Sequence, residues 1–291
     1  MQASEPATAP ASARRLAVAR RVAAVYAEEP QVAAVLCAGS TARGQADRWS
    51  DLELAVVWTA PPTETQRRAA LAAAGGRDAQ LWPRDEAWRL WEDAWWDGGP
   101  AGHGLLLEVE HTLVADVEAQ LDALLRPDPL PALLGLADAL VNGVPLAGDR
   151  RLAAWRARLT PYPRPVAAAA VRRHGQIDHF WRWQMYAERG DGLQLQAHFA
   201  DVAGRVVQVA CALSGVWWPG TKRLPQTAAG LTLAPAGLAD RLRRVPHLAP
   251  APAAAALTAL VEESFDLVAA HLPEVDTERL RAIFRFARRP W

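Results

Sequence analysis

Between Cys37 and Trp58 the chain reads CAGSTARGQADRWSDLELAVVW. Two acids, Asp51 and Glu53, stand two residues apart at the mouth of a run otherwise built from Leu, Ala, Val and Trp. In a strand, residues i and i+2 share a face, so the two carboxylates project together, roughly 7 Å apart along the backbone, while Leu52 and Leu54 face the other way. Like charges so placed repel, and a hard divalent cation, Mg2+ above all, offsets that repulsion. Upstream, Gly39-Ser40 lies where an apolar strand pattern ends. Glycine there permits a close approach that a Cβ would block, and the Ser40 N–H and hydroxyl can donate to a phosphate oxygen. Anion donors at one strand end and metal-binding acids on the next strand form two halves of a nucleoside triphosphate site. The implied chemistry is phosphoryl or nucleotidyl transfer, in which positioning and charge neutralisation dominate.

The elements that must hold these residues follow from periodicity and breakers. A helix is expected from about Ala13 to Glu29, stopped by Pro30, then a buried strand over Val32–Gly39 and a second from about Asp51 to Trp58. Residues 64–74 read as a helix ending at Gly75-Gly76. Trp88, Trp91, Trp95 and Trp96 fall at helical spacing within 85–96, which predicts a helix burying an aromatic stripe, bounded by Gly98-Gly99-Pro100. Gly104–Thr112, GLLLEVEHT, is a third strand pattern, on which Glu108 and Glu110 share one face, and a helix follows over about 115–125. Prolines 127, 129 and 131 mark the best domain boundary. Beyond it long amphipathic patterns dominate, over Val166–Glu188, Leu193–Leu213 and Ala253–His271. The expected class is α+β: a disordered tail over 1–12, a domain over 13–126 with a mixed β-sheet and flanking helices, and an all-helical domain over 132–291.

Composition narrows the function classes. With 291 residues and half of them hydrophobic, real cores are available. The 32 basic and 32 acidic residues cancel, and no basic stripe carries interleaved aromatics, so neither nucleic acid nor a membrane surface is an expected partner. Lysine occurs once, at Lys222, so arginine runs such as Arg14-Arg15 and Arg288-Arg289 read as a compositional bias on solvated surface. The two cysteines, Cys37 and Cys211, sit in apolar surroundings far apart, as buried thiols of a reducing compartment do. The N-terminal stretch is interrupted by Arg14, Arg15, Arg20 and Arg21 and does not read as a signal peptide, and no apolar run reaches about 18 residues, so a cytoplasmic location is expected. Phosphate-loop, dinucleotide, nucleophile-elbow and zinc-spacing patterns are absent.

The segment GSTARGQADRWSDLELAVV resembles the signature of the DNA polymerase beta-like nucleotidyltransferase superfamily: Gly-Ser, a spacer of about ten residues, then an acidic, a hydrophobic and a second acidic residue. Glu at the second acidic position is similar to the kanamycin-type aminoglycoside nucleotidyltransferases. The resemblance implies that Asp51 and Glu53 hold two Mg2+ ions bound to the triphosphate, ATP or another nucleotide. It also implies that a third carboxylate from a nearby strand completes the site or acts as base. Glu108 matches the family's hydrophobic-acidic-hydrophobic pattern better, and Glu110 stays open. Arg43, just after the turn, is placed to neutralise the triphosphate. Tyr186–Leu224 resembles the helical region of uncharacterised bacterial nucleotidyltransferase-domain proteins, which implicates Asp191 and Lys222 in a cleft, although Asp191 reads somewhat better as a helix N-cap or turn residue. Lysine's compact charge suits a phosphate. His174 and Asp178, four apart on an expected helix, are a further candidate lining for an acceptor pocket, against the plainer reading of a packed helix face.

These readings converge on transfer of a nucleoside monophosphate, AMP from ATP, to a hydroxyl of a small-molecule acceptor, with pyrophosphate released. Aminoglycoside-like acceptors and a homodimer are suggested by the resemblance alone. A non-catalytic antidote or binding protein with the same fold, and an enzyme modifying a protein side chain, are the alternatives.

Overall fold

The computed structural model describes residues 10–99, 103–126 and 133–288. The chain forms two compact units, one of Met1–Ala123 with Leu136–Thr160 and the other of Leu124–Gly135 with Pro161–Trp291. The expected tail over 1–12 lies largely outside the described residues, as do the three boundary prolines.

The first unit opens with helix α1 (Pro10–Ala27), whose buried residues Ser12, Ala19, Val22, Ala23 and Tyr26 recur at helical spacing. Strand β1 (Val32–Cys37) leads into a single helical turn, α2 (Gly39–Ala42), and then into β2 (Leu52–Trp58). Helix α3 (Glu64–Ala73) begins at a capping box in which Thr63 and Gln66 satisfy each other's backbone N–H groups. Next come β3 (Arg77–Leu81), β4 (Leu90–Asp97), β5 (Leu105–Leu113) and α4 (Val114–Leu124). After the undescribed proline segment follow α5 (Leu134–Asn142), β6 (Val144–Ala147) and α6 (Asp149–Leu159). The sheet has the order β3-β4-β5-β2-β1-β6. Only β2 and β5 run parallel among its paired strands. The fold is α+β with a mixed sheet, and its second unit is helical.

In the first unit two expectations change. The tryptophan-rich segment is a strand and not a helix. Asp85 accepts from the N–H groups of Ala87 and Trp88, closing a turn that leaves Trp88 exposed, and β4 then alternates Trp91, Asp93 and Trp95 against Leu90, Glu92, Ala94 and Trp96. The alternation is obscured in the sequence because Asp93 is a fully buried acid within the core-facing set. Residues 136–160, expected with the helical half, pack with the first unit, where β6 pairs with β1 as an edge strand.

One face of this sheet is a sealed core. Leu52, Leu54, Val56, Trp58, Trp95, Leu107 and Val109 pack there with Val22 and Tyr26 of α1. Within it Arg67 of α3 pairs with Asp93, the Trp58 Nε1–H donates to His111 Nδ1 at 3.1 Å, and the other ring nitrogen of His111 meets Asp93 Oδ2 at 3.0 Å. Since Nδ1 accepts, Nε2 carries the proton and donates to Asp93. Burial holds the His111 pKa below its usual value, so the ring is neutral. The network ties β2, β4, β5 and α3 to one register.

The second unit contains α7 (Arg164–Gly175), α8 (Arg182–Glu188), α9 (Gly192–Ser214), α10 (Leu224–Ala229), α11 (Leu238–Arg244), α12 (Pro250–His271) and α13 (Thr277–Arg285). Its core forms around α9 and α12. Helix α9 starts where Asp191 accepts from the Gln194 N–H and ends at Gly215, whose φ of 69° allows the Val216 N–H to reach the Cys211 carbonyl at 2.9 Å. The pattern expected as one run over 166–188 is broken at Gly175-Gln176, and His179 takes a left-handed φ of 58° before α8. Cys37 and Cys211 are buried thiols that form no disulfide among the described residues. Among the described residues no helix is long and apolar enough to cross a membrane.

Candidate functional site

The face of the sheet opposite the sealed core carries the acids. Register places Glu53 of β2 beside Glu108 of β5 on adjacent parallel strands, and Glu110 directly across from Glu92 of β4. Strand alternation turns Glu53, Glu92, Glu108 and Glu110 to the same side. Asp51 immediately precedes β2 and is half-buried, as are Glu53 and Glu108, while Glu92 and Glu110 are exposed.

Gly39 meets this face. Its φ is 62°, in the left-handed region, and a Cβ there would lie 1.6 Å from Glu53 Oε2. The backbone conformation favours glycine, and a Cβ there would push the flexible end of Glu53 out of the place its carboxylate takes. The Ala38 N–H donates to the Glu53 carbonyl at 3.0 Å, continuing the β1–β2 pairing up to the turn. Ser40 follows in α2, whose turn closes through Arg43 N–H to Gly39 O and Gln45 N–H to Ser40 O.

The ten-residue spacer is fixed to α1. The Ala46 N–H donates to the buried Ser12 hydroxyl at 2.9 Å, and Arg15 donates twice to the Ser50 carbonyl, at 2.6 and 3.0 Å. Asp47 accepts from the Trp49 N–H and the Ser50 hydroxyl, and Trp49 stands out from this braced loop with 82% of its surface exposed. Arg15 is therefore a support for Asp51's position and not the solvated surface that composition suggested; Arg14 beside it is exposed.

The electrostatics of the acidic face centre on Glu110. Desolvation and then repulsion from Glu53, Glu92 and Glu108 push its pKa up to about 7. The side chain itself is exposed, so water still screens the carboxylate. The crowding of like charges is the firmer part of that shift and the part a bound cation relieves. Burial, then the nearby Glu53, pushes the Cys37 thiol up to about 12, so it is no nucleophile. As the side chains lie, no three of the described His, Cys, Asp or Glu residues stand close enough together to hold a metal ion. The donor set nevertheless fits a hard divalent cation in kind: all-oxygen ligands on adjacent strands, in excess negative charge.

The other expected site residues are placed less simply. Arg43 is engaged by Asp138 of α5, 2.6 Å from its guanidinium, a partner the sequence did not suggest. Asp191 is the exposed N-cap of α9, and Lys222 is exposed in the turn before α10. His174 and Asp178 do not share a helix face, because α7 ends at Gly175; His174 lines a small cavity and Asp178 a separate, larger one. Glu92 was missed. Its signal was the Leu90-Glu92-Ala94 alternation, hidden when the segment was read as a helix.

No family model matches the chain and no curated protein matches it. Among solved structures it is similar to a nucleotidyltransferase-like protein from Exiguobacterium sibiricum 255-15, with a TM-score of 0.40 and 11% identity, over 94% of this chain and 81% of that one. A likeness this distant carries no conclusion about chemistry.

Proposed function

We propose that the chain is a Mg2+-dependent nucleotidyltransferase that moves a nucleoside monophosphate, AMP from ATP, onto a hydroxyl of a small molecule. The observation that carries the reading is the contact between the two halves of the Gly-Ser and Asp-x-Glu pattern: the Glu53 carboxylate lies where a Cβ on Gly39 would stand. Residues distant by composition and spacing alone thus share one surface, with Glu108 alongside in register.

On this reading Asp51 and Glu53 would hold the metal, with Glu108 completing the set, and Gly39 and Ser40 would position the phosphates through the turn's N–H groups and the Ser40 hydroxyl. When bound, the ion neutralises triphosphate charge as it grows on the leaving pyrophosphate. The acceptor oxygen forms a bond to the α-phosphorus while the bond from that phosphorus to the bridging oxygen breaks. The hydroxyl proton passes to a carboxylate, Glu108 or its face-mate Glu110. Aminoglycoside-like acceptors and a homodimer rest on the motif's family resemblance.

The test is incubation with α-labelled ATP and Mg2+, alone, with a panel of amino sugars, and with cell lysate. Label on a small molecule is the expected result. Label on protein would identify a side-chain acceptor, and no transfer in any mixture would overturn the enzymatic reading in favour of a binding or antidote protein.

A further inference from the structure

The helical unit holds a cavity of about 720 Å3 that the acidic face does not explain. That volume falls within the roughly 300–1,000 Å3 of small-molecule sites. Its walls come from the last turn of α7, the 176–181 connection, α8 and α9, and they carry four arginines, Arg172, Arg173, Arg182 and Arg205, against two aspartates, Asp178 and Asp201. In a chain of balanced charge this is a local excess of positive charge.

The arginines are not equivalent. Arg205 is committed: it donates to Asp201 at 2.8 Å and to the Gln176 carbonyl at 3.3 Å. The guanidinium groups of Arg172 and Arg182 make no hydrogen bond or ion pair among the described residues. Arg172, in the last turn of α7, complements the helix dipole and adds to the field on Glu274, whose carboxylate is itself held by Arg164, so no carboxylate occupies its forked donors. The cavity is also lined by two rings, Tyr186 and His198. His198 is anchored by a 3.2 Å hydrogen bond from Nε2 to the Phe180 carbonyl and meets Tyr186 edge-on at 5.9 Å. Two available guanidinium groups, an aromatic wall and Asp178 as an acceptor for hydroxyls describe recognition of a phosphate-bearing small molecule.

We infer that this cavity binds a phosphorylated small molecule, with Arg172 and Arg182 gripping the phosphate and Tyr186 and His198 packing against its body. The site lies wholly within the helical unit and is independent of nucleotidyl transfer.

The experiment is calorimetric titration of the full chain with inorganic pyrophosphate in EDTA, which removes metal-held phosphate from the acidic face. The expected result is one pyrophosphate per chain, weakened at least about tenfold by Arg172→Gln and likewise by Arg182→Gln, the loss of one charge-assisted hydrogen bond in each case. Asp51→Asn should leave the affinity unchanged. Arg182→Gln should keep the parent's melting curve, while Arg172→Gln should lower the melting temperature only slightly, by the lost helix-dipole contribution. Absence of binding at millimolar pyrophosphate, undiminished affinity in both arginine variants, or loss of binding in Asp51→Asn would each overturn the assignment.

Discussion

The two faces of the first unit's sheet treat charge in opposite ways. On the α1 side, Asp93 and His111 have no solvent exposure and their charges and dipoles are matched through Arg67 and Trp58. On the other side Glu53, Glu92, Glu108 and Glu110 gather acid against acid, and desolvation, then their repulsion, pushes the Glu110 pKa up to about 7. The buried carboxylate of Asp93 is met by Arg67 and His111, while the Arg67 Nε–H beside it stays without a partner among the described residues. Paired charge fixes register, while concentrated charge stores an attraction for a cation.

The largest expected effect is at Asp93. Removing it strands Arg67 in the core, so Asp93→Ala should lower unfolding free energy by about 3–5 kcal/mol in urea titration. A loss under about 1 kcal/mol would show that the network is not what holds β4 and β5. The next test is where the acidic face meets the turn. Gly39→Ala forces a left-handed alanine, costing about 1–2 kcal/mol, and displaces the Glu53 carboxylate, so nucleotide transfer should fall far more than stability. Parent-level transfer by this variant would separate Glu53 from the chemistry.

The smallest effect sharpens the contrast by pH. The folded-state pKa of Glu110 is raised from 4.5 to about 7, so the charged form is disfavoured in the fold. Its contribution to stability is complete below about 4.5, declines as pH rises through this window, and is lost above about 7. Glu110→Gln keeps the neutral shape without titrating, so its melting temperature should gain on the parent between pH 4.5 and 7 and stay higher at pH 8. A constant offset across pH would contradict the crowding.

Much of this was legible from residue order. The Gly39–Glu53 pairing follows from a strand, a turn and a strand with clear apolar patterns, and Glu108 follows from period-two alternation in GLLLEVEHT. What escaped were features made by partners distant in sequence. Asp93 made β4 look unlike a strand, because a buried acid is readable only once Arg67 and His111 are known to meet it. With β4 hidden, Glu92 was hidden too. Strand β6 is four residues long and paired at an edge, too short to stand out between α5 and α6. Arg43 pointed to phosphate on proximity alone, and its engagement with Asp138 arises from a contact 95 positions away.

The claim that matters most is that the acidic face is built for a metal-bound triphosphate. Binding of a non-hydrolysable ATP analogue, measured with and without Mg2+ in the parent and in Asp51→Asn, addresses it most directly. The account predicts binding that requires Mg2+ in the parent and is lost in Asp51→Asn, with melting temperatures of the two proteins matched, because the substitution removes a surface-facing charge and no core volume. Binding that is indifferent to Mg2+, or equal in the two proteins, would contradict it.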